Sequence, residues 1–170
     1  VEGAEHLRGL EGPVIFASNH QSHMDVPVIL AALPGRWRAR LATAMLKEFF
    51  GAHFHPGQHA WRARFTNSLN YYLACLYFNT FPIPQREAGA RHTLRYMGEL
   101  TSEGLSILIF PEGVRAATGD IRPFRGGVGM IASRLDLPVV PVRLDGLDRV
   151  LHPSWSFVRP GKVRVAFGAP

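Results

Sequence analysis

Residues 14–25 read Val14-Ile15-Phe16-Ala17-Ser18-Asn19-His20-Gln21-Ser22-His23-Met24-Asp25, an apolar run that breaks abruptly into polar residues. The apolar part has no alternation, as expected of a strand buried on both faces of a sheet. Beyond Asp25, the residues Val26, Ile29, Leu30 and Leu33 follow the i, i+3, i+4, i+7 pattern of an amphipathic helix. Asp25 is placed as its N-cap, Pro27 is tolerated in the first turn, and Pro34-Gly35 ends it. The polar residues therefore form a strand-to-helix loop, where open α/β sheets hold their ligands. His20 and Asp25 are five apart. On one continuous helix they would point about 140° away from each other, at about 100° per residue. They converge only if His20 lies on the loop and Asp25 opens the helix. A carboxylate beside an imidazole fixes its tautomer and leaves the other ring nitrogen to take a proton, making a general base for a hydroxyl. A histidine beside a helix cap is also a common structural arrangement, and these residues alone leave both readings open.

Further along, apolar runs alternate with helical patterns. Strands are expected at 38–44, 78–83, 106–110, 139–144 and 163–167, and helices at 63–78, 90–100 and 128–135. Gly104 is placed to end the helix before it. Residues 45–60 carry no clear pattern. Pro141 argues that its strand lies near an end or an edge. The fold class that follows is α/β: a single domain over residues 1–170 with a central, mostly parallel or mixed β-sheet flanked by helices.

A second chemical segment, Phe110-Pro111-Glu112-Gly113-Val114-Arg115, follows the most apolar strand. It delivers a carboxylate, a flexible glycine and an arginine to the sheet edge that carries His20. The planar fork of Arg115 suits a phosphate. Arg86, after the strand-like Phe81-Pro82-Ile83-Pro84, adds positive charge, as do Arg122 and Arg125.

The chain has 170 residues, enough for one domain, with 46% hydrophobic and 19% charged residues. A net charge of +6 favours an anionic partner: a phosphate-bearing substrate, an acidic membrane surface or nucleic acid. No run approaches the length of a membrane span. The lone Cys75 excludes an internal disulfide, and its apolar surroundings read as a buried, inert thiol. Val1 without a preceding Met and a terminal Gly168-Ala169-Pro170 read as a segment of a longer chain, whose other domains are expected partners.

Rival chemistries leave weaker marks. Zinc sets drawn from His20, His23 and Asp25, or from His53, His55 and His59, lack any H-E-x-x-H helix. Gly127-Val128-Gly129-Met130-Ile131-Ala132 matches a dinucleotide-binding G-x-G-x-x-A, but residues 120–125 before it make a poor strand. The plainer reading is that Gly127 and Gly129 let a helix approach the sheet. The arginines are too scattered for a nucleic-acid module. No G-x-S-x-G elbow marks a serine nucleophile.

The H-x4-D box at His20 and Asp25, with Asn19 before it and Ser22 inside it, resembles the first motif of the glycerolipid acyltransferases. Residues 110–115 are similar to that family's third motif, the tract ending in Arg86 to its second, and Val139-Val140-Pro141-Val142 to its fourth. Order and spacing agree from about residue 13 to 145. The resemblance implies an O-acyltransferase that moves a fatty acyl group from a thioester donor, acyl-CoA or an acyl carrier protein, to the free hydroxyl of a lysophospholipid such as 1-acylglycerol-3-phosphate, or of glycerol 3-phosphate. It implies His20 as base and Asp25 as its orienting partner. Arg86, Glu112 and Gly113 bind the acceptor with Arg115 assisting, and Asn19 and Ser22 are further substrate-binding candidates. No cofactor or metal is implied. The expected setting is an anionic membrane surface on its cytoplasmic face. Three departures fall on the acceptor side: Thr80 where glycine is usual, Pro84 within the second motif, and Ala116 in place of a hydroxyl residue.

Overall fold

The computed structural model describes residues 1–83, 90–116, 120–151 and 157–170. Six strands form one sheet: β1 (Ile15–Ser18), β2 (Leu41–Leu46), β3 (Thr80–Ile83), β4 (Ser106–Ile109), β5 (Val139–Asp145) and β6 (Arg164–Phe167). Their order is β3-β2-β4-β1-β5-β6. All neighbours are parallel except β5 and β6, so the sheet is mixed. The helices are α1 (Asp25–Ala32), α2 (Gly35–Arg38), α3 (Gly51–Phe54), α4 (Trp61–Phe78), α5 (Ala90–Ser102), α6 (Gly127–Leu135) and α7 (Leu147–Val150).

β1 and β4 lie side by side at the centre, and every residue of both is buried. Alternate side chains therefore enter different cores. Phe16 and Leu108 join Ile29, Leu33 and Trp37 on one face, with the Phe16 and Trp37 rings edge-on at 5.7 Å. Ile15, Ile107 and Ile109 join Met97 on the other, against Leu100, Val128, Ile131 and Leu135 of α5 and α6. Each fully buried side chain of this kind contributes about 1.5–3 kcal/mol. From β1 the chain turns towards β2, and from β4 it crosses to β5 on the opposite side. The carboxyl ends of β1 and β4 thus form a topological switch point, the crevice in which open α/β sheets bind ligands.

Four local expectations need correction. Residues 38–40 are not strand: Arg38 ends α2, and its Nη2 donates to the carbonyls of Ala31 and Leu33, which close α1. Pro141 lies near the start of an interior strand, paired with Ala17 of β1 but one residue short of the ladder with β6, so the place near a strand end holds and the edge strand does not. It is tolerated because its imino nitrogen faces the β6 side just beyond the ladder, where Gly168 N–H donates to the Pro141 carbonyl. Gly127 and Gly129 do not serve close packing, since a Cβ at either would meet nothing within 4 Å. No strand precedes them at residues 120–125, so the dinucleotide fingerprint lacks its strand as well. Cys75 is half-buried rather than buried, and its Sγ accepts a hydrogen bond from Thr80 Oγ1.

Candidate active site

Asp25 opens α1 but does not cap it. Its carboxylate turns back into the loop, where Oδ2 accepts Gln21 N–H at 2.7 Å and Oδ1 accepts Ser22 N–H at 2.9 Å. Oδ2 also meets His20 Nδ1 at 2.6 Å. Asp25 is fully buried while the His20 side chain is 23% exposed. The carboxylate therefore fixes the ring from behind, and Nε2 is the nitrogen left for a proton from outside. The Phe110 ring stacks on His20 at 4.3 Å.

The third-motif segment holds the same loop. Glu112 Oε1 accepts His20 N–H at 3.0 Å, and Ala116 N–H donates to the His20 carbonyl at 2.8 Å. Glu112 is buried, and its Oε2 has no hydrogen-bond partner among the described residues. Gly113 has φ +72°, a left-handed conformation, and a Cβ there would stand 3.0 Å from the Arg125 guanidinium. Ala116 is buried, so the position where a hydroxyl residue is usual faces inward.

Arg115 reaches across to the loop. Its Nη1 lies 2.5 Å from the His23 ring nitrogens, and its guanidinium sits over the Phe49 ring. An arginine only donates and stays charged, so a guanidinium this close to the ring disfavours a second positive charge on the imidazole. Consistently, burial, then the Arg115 and His20 charges, lower the His23 pKa against an opposing pull from Asp25. Burial also lowers Arg115 from its usual value, against the attraction of Asp25. A lowered guanidinium remains charged at neutral pH.

Asn19 and Ser22 take a different place from the substrate contacts expected of them. Asn19 is buried, its Nδ2 donating to the Leu144 carbonyl at 2.9 Å and its Oδ1 accepting Leu144 N–H at 2.7 Å. Ser22 Oγ donates to the Leu151 carbonyl at 2.7 Å and accepts Met24 N–H. Their polar atoms are committed to the protein, where they tie the loop to β5 and α7. Gln21, which pattern reasoning passed over, does likewise: its Oε1 accepts Leu147 N–H. Phe110 and Phe49 were also missed, and only their position beside motif residues marks them. Arg86 and Pro84 lie outside the described residues. Among the described residues no three His, Cys, Asp or Glu side chains gather as a metal site. His53 instead meets Ser68 Oγ at 2.9 Å and stacks on Tyr71.

An imidazole held by a buried carboxylate, a guanidinium against the same loop and a second buried carboxylate with one oxygen unused among the described residues form a site suited to activating a hydroxyl on an anionic molecule. A family model described as Acyltransferase matches residues 1–145. The chain belongs to the Acyltransferase family. Over its whole length it is 26% identical to the 1-acyl-sn-glycerol-3-phosphate acyltransferase BAT2, chloroplastic, of Brassica napus, covering 44% of that protein. It is 28% identical over 90% of its length to the human 1-acyl-sn-glycerol-3-phosphate acyltransferase beta, covering 49%. The chain thus spans about half the length of these relatives. The crystal structure of the 1-acyl-sn-glycerophosphate (LPA) acyltransferase PlsC from Thermotoga maritima superposes with a TM-score of 0.66 at 24% identity. The match covers 98% of this chain and 58% of that one, and shows the shared fold.

Proposed function

We propose that this chain transfers a fatty acyl group from acyl-CoA or an acyl carrier protein to the free hydroxyl of a lysophospholipid of the 1-acylglycerol-3-phosphate type. The observation that carries the reading is the 2.6 Å contact between His20 Nδ1 and the buried Asp25 carboxylate, with Nε2 turned away from it. In the step it supports, Nε2 takes the acceptor's hydroxyl proton as that oxygen attacks the thioester carbonyl carbon. The tetrahedral intermediate collapses with cleavage of the C–S bond. The departing thiolate takes the proton back from the imidazolium, so the base is restored and no acyl-enzyme forms. Asp25 stabilises the imidazolium between the two transfers.

Acceptor recognition falls to the third motif. Glu112 Oε2, buried and without a partner among the described residues, fits a hydroxyl donor on the glycerol, and the adjacent Arg115 fits its phosphate. Arg86 is proposed to assist on the resemblance of its motif. The net charge of +6 supports work at an anionic membrane surface. The names of the relatives favour a monoacyl acceptor over glycerol 3-phosphate. The test is a panel of labelled acyl-CoA with several lysophospholipids and glycerol 3-phosphate. Product from 1-acylglycerol-3-phosphate above all others is expected. Preference for glycerol 3-phosphate would move the chain to the earlier acylation, and no acyl transfer to any acceptor would reject the reading.

A further inference from the structure

Helix α4 is built inside out. At about 100° per residue, Trp61, Phe65, Leu69, Tyr72 and Leu76 fall within an arc of about 80°, with Leu73 about 40° and Tyr77 about 80° past its edge. All seven are exposed, Trp61 at 69% and Leu76 at 76%. The residues turned towards the protein include Asn67, Ser68, Tyr71 and Cys75. Asn67 Oδ1 accepts His53 N–H, and Ser68 and Tyr71 meet the His53 ring. A helix of a water-facing domain turns its apolar stripe inward. An exposed apolar stripe of this extent marks a contact surface.

The charge around it is one-sided. Residues 49–86 contain no Asp or Glu, while α4 carries Arg62 and Arg64 in its first turn. Trp, Tyr and Phe beside arginines are the composition of a helix that lies in a membrane interface, rings at headgroup depth and cations on the phosphates. Among the described residues no helix is long and apolar enough to cross a membrane. The stripe is also joined to the catalytic loop by aromatic contacts: His23 to Phe49 at 6.2 Å, Phe49 to Phe50 at 5.0 Å, Phe50 to the inward Tyr71 at 5.5 Å, and Tyr71 to Tyr72 of the stripe at 5.5 Å. Phe49 is itself exposed.

We infer that α4 docks this chain on an anionic phospholipid bilayer, lying flat with the Trp61–Leu76 stripe inserted and Arg62 and Arg64 on lipid phosphates. This rests on the proposed lipid chemistry, and adds to it the surface by which the enzyme meets its substrates. A docked α4 sets the aromatic path from Phe49 to His23 at the lipid boundary, so an acyl chain need not leave the bilayer fully to reach His20.

The test is flotation of the chain with phosphatidylcholine vesicles, with and without phosphatidylglycerol, comparing wild type with Leu69→Glu/Leu76→Glu. Wild type is expected to float with the phosphatidylglycerol vesicles, and the double variant to bind about tenfold less or weaker. Trp61 fluorescence is expected to shift to the blue on binding and to be quenched by brominated lipid, with the change lost in Trp61→Phe. Equal flotation of wild type and double variant would overturn the proposal. So would a wild type that stays with solvent but elutes as a dimer that the variant converts to monomer, because a second copy would then cover the face. An assay on monomeric short-chain acyl-CoA and lysophosphatidate runs alongside. The double variant is expected to match wild type there, which shows that it folds. Inactivity of both proteins in that assay would count against the acyltransferase reading, while flotation would still decide the docking.

Discussion

The loop of residues 19–25 and the helix α4 meet through Phe49 and Phe50, yet they handle polarity in opposite ways. The loop buries its polar groups and pairs them. Asp25 alone accepts two backbone N–H groups and the His20 ring, Asn19 clips both amide atoms to Leu144, and Glu112 receives the His20 N–H. α4 turns Asn67, Ser68 and Tyr71 towards the protein and leaves seven large, mostly apolar side chains in water. A buried network of this kind is rigid because each lost partner strands a desolvated group. An exposed apolar face contributes little to folding and gains only when something covers it. Rigidity belongs where a proton must be moved between fixed atoms, and unfinished burial where a soft partner is to be met.

The largest effect expected is on the loop. His20→Ala should lower kcat by about 10²–10⁴, the usual cost of losing a general base. Thermal stability should barely move, because the ring is partly exposed and Asp25 keeps its two backbone donors. A variant with near wild-type acyl transfer would detach the loop's rigidity from chemistry altogether. Asp25→Asn should differ in kind. Its amide nitrogen must face one of the donors the carboxylate now accepts, so stability should fall by about 1–3 kcal/mol as well as rate. For a domain of this size that is a drop of about 2–4 °C in melting temperature per kcal/mol. Equal melting temperatures for Asp25→Asn and wild type would show that the network is not what holds the loop.

Next in size is the cation at the border between the two regions. Arg115→Ala should raise the KM of a phosphate-bearing acceptor by about 10–100-fold, as expected for a lost charge-assisted hydrogen bond of about 1.5–3 kcal/mol. The KM of the acyl donor should change far less, and Arg115→Lys should rescue only in part, since a point charge cannot repeat paired contacts. Arg86→Ala is the companion measurement. If it raises the acceptor KM and Arg115→Ala does not, the phosphate is held by the second motif. If both weaken the donor instead, the two substrates lie the other way round.

The contrast also explains what the sequence could reveal. β1 and β4 are legible because strands buried on both faces must be continuously apolar, and few other segments are. The convergence of His20 and Asp25 followed from helix geometry and was found as such. The work of Asn19, Ser22 and Glu112 was hidden, because a side chain bonded to a distant backbone group leaves no pattern in the chain. Asn19 meets Leu144 across 125 positions. α4 was recognisable as a helix but not orientable: its aromatic residues lie all round, and the rule that apolar faces turn inward gives the wrong side. Residues 38–40 failed for a related reason, since Arg38 is held by the carbonyls that end α1 rather than by a strand partner.

The smallest effect concerns His23, the loop residue that looks outward to Phe49 and Arg115. Burial and then the Arg115 charge lower its pKa, so it is neutral at pH 7. A histidine whose folded pKa lies below its unfolded value binds fewer protons folded than unfolded between the two. Stability therefore rises with pH across that window, and is lost as the pH falls below the usual value near 6.5. Solvent screening at a ring that is only partly covered keeps the effect small. It is best read by NMR titration of the His23 ring proton, with Asp25 and His20 as the other charges that face it. Arg115→Ala should move the midpoint upward, because one of the two main depressing causes is gone, yet leave it below the usual value, because burial remains. A phosphate-bearing ligand bound at Arg115 should also move it upward, by offsetting the same charge. A midpoint that ignores both changes would show that Arg115 does not face His23 in solution. The bridge between the rigid loop and the aromatic path would then have to run through Phe49 alone.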